Sequence, residues 1–218
     1  MQDDIFWDGE ADQYFARNQA ALTDPGRTLR DPVLRMIESV GLRPRRVLEV
    51  GCANGWRLEA LRQRYSCRAF GIEPSSDAIR DGCQRYPRVR LFRGSADDMP
   101  FRRPWFDLVI VAFCFHWVAR EHLFQSVAEI DRVLATDGCL IINDFAPRWP
   151  TKTRYRHCEG VNTYKQAYHE IFLASVLYAS RSERVYDYET GLPGFGIAER
   201  RRAVCALLKK GARYQVCE

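Results

Sequence analysis

The feature that most restricts how this chain can fold is a glycine turn at residues 47–55, Val47-Leu48-Glu49-Val50-Gly51-Cys52-Ala53-Asn54-Gly55. The mostly aliphatic residues before Gly51 favour a short buried strand, and the sequence after Gly55 takes up a helical period. Glycine has no Cβ and tolerates positive φ, so a strand, tight turn and helix in this order bring backbone N–H groups close to a ligand above the strand end. The stretch therefore predicts a ligand-binding loop.

The spacing of this loop argues against two common phosphate sites. A dinucleotide fingerprint has three glycines as G-x-G-x-x-G, whereas this loop reads G-x-x-x-G with Glu49 two residues before Gly51. A carboxylate in that place would repel a pyrophosphate. A P-loop ends in Gly-Lys-Ser/Thr, and here Gly55 is followed by Trp56. The acid favours a ligand that carries positive charge.

A second acid closes the next apolar segment. Residues 67–73 predict a short parallel strand that ends at Glu73, 22 residues after Gly51. An acid about 20 residues beyond a glycine turn accepts hydrogen bonds from ribose hydroxyls in nucleotide-binding folds. The spacing indicates a nucleoside ligand, and capping of the following helix is the alternative role for Glu73.

Together these motifs resemble motif I and the ribose acid of the class I S-adenosylmethionine (SAM) dependent methyltransferases, and the resemblance runs from roughly Val47 to Phe145. Residues 94–101 resemble the family's adenine-binding segment, but Ser95 stands where the family usually has an acid. Either Ser95 or Asp97 is therefore expected to meet the adenine. The resemblance implies cofactor contacts by Glu49, Gly51, Cys52, Ala53, Gly55, Glu73, Pro74, Ser95, Ala96, Asp97 and Phe113.

The alternation of strands and helices predicts a doubly wound α/β fold. The resemblance implies a Rossmann-like, mostly parallel seven-stranded sheet with an antiparallel C-terminal hairpin. At 218 residues the chain is expected to be a single domain. Within it we expect residues 1–40 to form N-terminal lid helices, residues 47–145 the SAM-binding core, and residues 146–218 a substrate-pocket segment and the hairpin.

An aromatic segment precedes the first strand. Residues 5–18 hold four large aromatic side chains, too many for a disordered tail, so we expect a loop and a short helix that dock on the domain. In the resembling enzymes such a segment covers the cofactor, which makes Tyr14 and Asn18 candidate contacts. The alternative is a packing strap without a binding role.

The implied reaction is methyl transfer from SAM, which releases S-adenosylhomocysteine. His116, at the end of the fourth strand, is the candidate general base, and packing is the alternative role. We expect no metal, because the segment around Phe113 offers no acid to complete a site with Asn143 and Asp144. In relatives the stretch after strand five forms part of the substrate pocket, and here it carries His157, Tyr164, Lys165, Tyr168 and His169.

The expected acceptor is the O or N atom of a small polar molecule, either a natural product or a sugar-like compound. A tRNA or rRNA acceptor is the rival, because net charge is +5 with arginine clusters at residues 43–46, 102–103 and 200–202. A non-catalytic scaffold is the third hypothesis. The spread of arginines along the chain makes nucleic acid the less favoured partner.

Composition sets the remaining expectations. No run of apolar residues is long enough for a membrane span and the N-terminus is acidic, so we expect a cytoplasmic protein with no membrane contact, as a monomer or homodimer. Eight scattered cysteines without a Cys-x-x-Cys pair favour reduced packing residues, Cys114, Cys139 and Cys205 among them.

Overall fold

The seven-stranded sheet expected from the sequence is confirmed by the computed structural model, which describes residues 2–24 and 26–211. Its strand order is β3-β2-β1-β4-β5-β9-β8. The strands are β1 (Arg46–Val50), β2 (Arg68–Glu73), β3 (Arg90–Arg93), β4 (Phe106–Ala112), β5 (Leu134–Phe145), β8 (Tyr178–Asp187) and β9 (Arg202–Lys210). The first five pair in parallel, whereas β9 is antiparallel to both β5 and β8. The C-terminal hairpin is therefore present.

Helices cover both faces of the sheet. They are α1 (Gln2–Ile5), α2 (Ala11–Leu22), α3 (Arg27–Arg30), α4 (Pro32–Ser39), α5 (Trp56–Tyr65), α6 (Ser76–Arg85), α7 (Leu123–Val133) and α8 (Tyr168–Ala174). A π-helical turn, Phe6–Glu10, joins α1 to α2. The side chains of Asp31 and Ser75 cap α4 and α6 by accepting from backbone N–H groups.

The two faces of β4 show how the core is divided. Val109 and Val111 belong to the apolar layer on one side, while Leu108 and Ile110 belong to the layer on the other. Successive side chains of a strand point to opposite faces, so a strand buried on both sides reads as a continuous apolar run. The core therefore fixes β1 and β4 at the centre of the sheet, and the loops at their carboxyl ends lie side by side.

Two regions differ from the sequence-based expectation. The N-terminal segment is helical almost throughout, from Gln2 to Leu22, where a loop and one short helix were expected. Residues 146–174 form a separate two-stranded sheet, β6 (Thr151–Arg154) and β7 (Asn162–Lys165), followed by α8. Every residue of β6 is exposed and every residue of β7 is half-buried. Neither strand therefore has the alternation of apolar and polar residues from which a strand is predicted.

The described cysteines are all free thiols. Cys52, Cys67, Cys139 and Cys205 are buried, as expected for packing residues, whereas Cys83 is exposed and Cys114 is only partly buried. Cys217 lies outside the described residues. No helix within residues 2–24 and 26–211 is long and apolar enough to cross a membrane.

Candidate cofactor and acceptor site

A cavity of about 290 Å³ opens at the carboxyl ends of the central parallel strands, beneath α2. Ligands in open α/β sheets bind at this edge, where neighbouring strands connect in opposite directions. Of the residues proposed above to contact the cofactor, only Gly55 does not line the cavity. The lining includes Tyr14, Asn18, Glu49, Gly51, Cys52, Ala53, Glu73, Pro74, Ser95, Ala96, Asp97 and Phe113.

The glycine loop approaches its neighbours closely. Gly51 has φ +70°, and a Cβ built there would lie 2.9 Å from Cys114 Cβ, so only glycine fits. Two N–H groups of the loop already have partners within the protein. Those of Gly51 and Cys52 donate to Ile72 O at 2.9 and 3.1 Å. The loop is therefore fastened to the end of β2, and Glu49 and Glu73 add carboxylates to the cavity lining.

Glu73 ends β2 and is held by two backbone donors. Its Oε2 accepts from Ala53 N at 2.8 Å and its Oε1 from Ser75 N at 3.0 Å. Burial raises the pKa of Glu73 to about 7, although both N–H donors oppose that shift. Each carboxylate oxygen can accept a further hydrogen bond, so Glu73 remains able to bind two hydroxyls.

Glu49 belongs to a buried ionic network. One of its carboxylate oxygens pairs with the Arg57 guanidinium, whose Nη2 lies 3.0 Å from Asp31 Oδ2. Burial raises the pKa of the Glu49 carboxyl, and the charge of Arg57 opposes this. Glu49 Oε2 is buried without a partner among the described residues. A buried unpaired carboxylate oxygen beside a cavity is a place for a cationic or hydrogen-bonding ligand group.

The segment after β3 forms the far end of the cavity. Ser95, Ala96 and Asp97 all line it, so the structure leaves both candidates for adenine recognition in place. Asp97 Oδ2 lies 2.8 Å from His122 Nδ1. That contact orients the Asp97 carboxylate at the edge of the cavity.

The N-terminal helices close the cavity from above. Phe6, Tyr14, Phe15 and Asn18 are among the residues they contribute to its lining. Asp12 fastens α2 to the sheet: its Oδ1 accepts from Ser75 Oγ at 2.6 Å and from Asp77 N at 3.0 Å. The Arg93 guanidinium stacks 4.2 Å from the centre of the Trp7 ring and donates to Trp7 O. This segment is therefore an integral wall of the site.

Part of the cavity lining is aromatic, and we call this part the acceptor end. Trp117 packs against Phe6 and Tyr14 with ring centres 5.3 and 5.5 Å apart, and Phe113 packs against Tyr188 at 5.0 Å. Phe113 reaches this position with φ +52°, a rare backbone conformation for an aromatic residue. Burial raises the pKa of Tyr14 to about 12, so its hydroxyl keeps its proton at neutral pH. These five side chains carry no charge.

His116 lies behind this end. It is 4% exposed and is not among the residues that line the cavity. Its Nδ1 is 2.8 Å from Asp144 Oδ1, and its ring packs against Trp117 with centres 4.9 Å apart. The geometry makes His116 a support for Trp117, and its role as a base stays a prediction.

The region after β5 contributes differently from the expectation. None of the five candidates His157, Tyr164, Lys165, Tyr168 and His169 lines the cavity. Tyr168 and His169 are buried, 1% and 4% exposed, because α8 packs them into the core beside β5 and β8. Tyr188, which sequence reasoning missed, does line the cavity and is half exposed at its opening. It follows β8 directly, and nothing in the local sequence marks it.

Comparisons with known proteins agree with this geometry. A family model described as a methyltransferase domain matches residues 47–138. The phthiotriol/phenolphthiotriol dimycocerosates methyltransferase of Mycobacterium leprae is 28% identical over 146 residues, which are 66% of this chain and 53% of that protein. The malonyl-[acyl-carrier protein] O-methyltransferase of Halorhodospira halophila is 27% identical over 125 residues, 56% of this chain and 42% of that protein.

The matched regions thus span about half the length of these curated relatives. Among solved structures, the 1,6-didemethyltoxoflavin-N1-methyltransferase of Burkholderia thailandensis, with bound substrate and S-adenosylhomocysteine, aligns with a TM-score of 0.68. The alignment covers 91% of this chain and 84% of that one at 15% identity. At this identity the likeness shows a shared fold.

Proposed function

This chain belongs to the class I SAM-dependent methyltransferases, and from that premise we propose that it methylates an oxygen or nitrogen of a small polar molecule. The observation that carries the proposal is a pair of carboxylates, Glu49 and Glu73, at the ends of adjacent strands β1 and β2, facing one cavity. One of them has a buried oxygen without a partner among the described residues. Aromatic side chains and Arg27 line the same cavity.

The residues present fit SAM, the cofactor of this family. The unpaired Glu49 Oε2 suits a ligand ammonium group, and Glu73 suits two ribose hydroxyls. Ser95 and Asp97 offer a hydroxyl and a carboxylate to an exocyclic amine. A pyrophosphate in place of an amino-acid group would meet the Glu49 charge. The side chains thus select a cationic nucleoside over a dinucleotide.

When bound, SAM supplies a methyl group on a positively charged sulfur that leaves readily. The protein therefore needs chiefly to align the acceptor and exclude water. Phe113, Trp117 and Tyr188 surround the acceptor end with apolar surface, and α2 covers it. Tyr14 adds one protonated hydroxyl that orients a polar group by a hydrogen bond. Arg27 also lines the cavity, and its charge acts on Tyr14, so a cation lies near these side chains.

The relatives act, by their names, on a lipid, an acyl-carrier-bound malonyl group and a heterocycle. These names support a small acceptor group, although they differ in its chemistry. Two of the three arginine clusters, residues 43–46 and 102–103, lie at the starts of β1 and β4. That is the sheet edge opposite the cavity, so an RNA held there would not reach the site.

Isothermal titration with S-adenosylhomocysteine tests the proposal. We expect micromolar binding, and Gly51→Ala should abolish it because the added Cβ would meet Cys114. Gly191→Ala is the matched control: Gly191 has the same φ of +70°, but its Cβ would meet nothing within 4 Å. Absence of binding by the unaltered protein, or equal loss in both variants, would contradict the proposal. Methyl transfer from labelled SAM to fractionated small metabolites then identifies the acceptor.

A further inference from the structure

Three large apolar side chains protrude from two segments, residues 148–149 and 188–199, that meet near Tyr188. Phe195 is fully exposed, Trp149 is 77% exposed and Leu192 is 64% exposed. We call these three residues the apolar rim. Such side chains contribute to stability only when they are buried in a core or an interface. Three of them exposed on neighbouring segments therefore indicate a surface that binds a partner.

Hydrogen bonds bring the rim together although its members are far apart in sequence. Arg148, which precedes Trp149, donates its backbone N–H to Glu199 Oε2 at 2.6 Å. The loop that carries Leu192 and Phe195 ends at that same glutamate, and Asp187 N donates to Leu192 O at 2.9 Å where the loop begins. Both segments therefore meet at the turn of residues 199–201.

The rim borders the opening of the cavity. Tyr188, which lines the cavity and is 50% exposed, begins the loop of Leu192 and Phe195. Its backbone N–H donates to Arg201 O at 2.8 Å, within the turn where the two rim segments meet. A partner that contacts the rim therefore lies next to the acceptor end of the cavity.

A basic surface adjoins the rim. The β6–β7 hairpin with its flanks, residues 146–165, carries five cations, Arg148, Lys152, Arg154, Arg156 and Lys165, against one acid, Glu159. Lys165 Nζ contacts Arg200 O at 3.4 Å, which ties the hairpin to the same turn. Arg148 and Arg154 have carboxylate partners, Glu199 and Glu159, whereas no ion pair is formed by Lys152 or Arg156 within the described residues.

We propose that the apolar rim and the basic hairpin form a docking surface for an anionic lipid membrane, which brings the opening of the cavity to the lipid interface. Exposed aromatic and aliphatic side chains that flank clustered Lys and Arg are the chemistry of peripheral membrane attachment. The sequence-based expectation of no membrane contact rested on the lack of a spanning segment, which peripheral docking does not require.

A membrane fits this surface better than a nucleic acid does. A nucleic acid uses cations for its phosphates and aromatic rings for base stacking, so it would leave the exposed aliphatic side chain of Leu192 in water. In a bilayer interface the side chains of the apolar rim insert among acyl chains while Lys152 and Arg156 remain with the headgroups. An acceptor with a lipid anchor would then enter the cavity without leaving the membrane.

Co-sedimentation of the full chain with vesicles tests this inference, in the absence of SAM and acceptor. We expect binding to phosphatidylglycerol/phosphatidylcholine (1:1) vesicles and much weaker binding to pure phosphatidylcholine. The triple variant Trp149→Ser/Leu192→Ser/Phe195→Ser should lose at least about tenfold in affinity. The variant Lys152→Gln/Arg154→Gln/Arg156→Gln should lose about fivefold per charge. All six side chains are exposed, and circular dichroism verifies that the variants fold.

Matched controls come from the opposite sheet edge. Arg43→Gln/Arg102→Gln/Arg103→Gln removes three exposed charges there, and Val40→Ser removes an exposed apolar side chain. Both should bind vesicles as the unaltered protein does. The inference is overturned if anionic vesicles do not bind at low salt, if the controls lose as much as the rim and hairpin variants, or if single-stranded RNA binds more tightly and depends only on the hairpin cations. Because no cofactor is added, this result is independent of S-adenosylhomocysteine binding.

Discussion

The two ends of the cavity are built on different principles. At the cofactor end, Glu49 and Glu73 are set by the ends of two adjacent central strands and held by Arg57 and by backbone N–H groups. At the acceptor end, Tyr14, Trp117 and Tyr188 come from three separate parts of the chain and line the same space through contacts between aromatic rings. Directional polar bonds specify one end, and apolar packing specifies the other.

This difference indicates which part of the site tolerates amino-acid substitution. A charged pair buried beside a strand tolerates little alteration, because a partner left alone in the interior carries a large free-energy penalty. Replacing an aromatic side chain of the lining by another apolar side chain of similar volume has a smaller free-energy cost. The acceptor end is therefore where proteins with this cofactor end can differ, and the segments that build it lie mostly outside residues 47–138, the part that matches the family model.

The largest expected effect concerns the network beneath the cofactor end. Arg57→Met leaves Glu49 and Asp31 buried without their cation, and should lower the free energy of unfolding by about 3–5 kcal/mol. Urea denaturation measures the change. Arg64→Met, which removes an exposed pair with Glu38, is the control and should change stability by about 1 kcal/mol or less. Equal effects in both variants would show that the network contributes no more than a surface pair.

The next effect separates the two ends by ligand binding. Glu73→Ala should weaken S-adenosylhomocysteine binding about 100-fold, since a charged acceptor of two hydroxyl groups is lost. Tyr188→Ala, at the acceptor end, should leave that affinity within about twofold. Titration calorimetry on both variants makes the comparison. A large loss for Tyr188→Ala would mean that the two ends are not separable.

The raised pKa of Glu73 gives a pH dependence. Ribose hydroxyls donate to the ionised carboxylate, so with a pKa of about 7 the affinity for S-adenosylhomocysteine should be about tenfold lower at pH 6 than at its plateau above pH 8. Glu73→Gln should flatten this profile. A flat profile in the unaltered protein would show that Glu73 is ionised throughout.

The same pKa affects the stability of the ligand-free protein with the opposite sign. The folded state holds the Glu73 proton more tightly than the unfolded state, whose pKa is near 4.5. The contribution of Glu73 to stability is therefore greatest at low pH and is lost as pH rises through about 7. Between pH 5 and 8 the melting temperature of Glu73→Gln should fall less than that of the unaltered protein, as measured by thermal unfolding.

The smallest effect concerns Tyr14, which belongs to the acceptor end but is close enough to Glu73 for that carboxylate to add to the effect of burial in raising its pKa. Tyr14→Phe removes one hydroxyl and should weaken S-adenosylhomocysteine binding about fivefold, the value of a single neutral hydrogen bond. Calorimetry measures the loss, and Tyr155→Phe is the control, because Tyr155 packs on Trp117 but does not line the cavity. No loss in Tyr14→Phe would assign Tyr14 to packing or to the acceptor.

Much of the fold could be predicted because its signals are local. The turn at Gly51, the strand ends at Glu49 and Glu73, and the helix that begins at Pro32 each depend on neighbouring residues, and the structure places them as expected. The hairpin β6–β7 could not be predicted, since neither strand is buried on one face. That Ile72 O, on a neighbouring strand, accepts two of the loop N–H groups could not be predicted either, because it depends on how β2 lies beside the loop.

The sequence by itself determined the order of strands and helices from β1 to β5 and the positions of Glu49 and Glu73 within it, because strand period, glycine spacing and the positions of acids are short-range patterns. Only the tertiary structure decided that Tyr14, Phe113, Trp117 and Tyr188 line one cavity, and that the segment of Trp149 and the loop of Phe195 meet at Glu199. These contacts join segments separated by tens of residues or more. Apolar packing is non-directional, so the sequence does not show which apolar side chains contact each other. Those contacts depend on where the complete fold places each segment along the edge of the sheet.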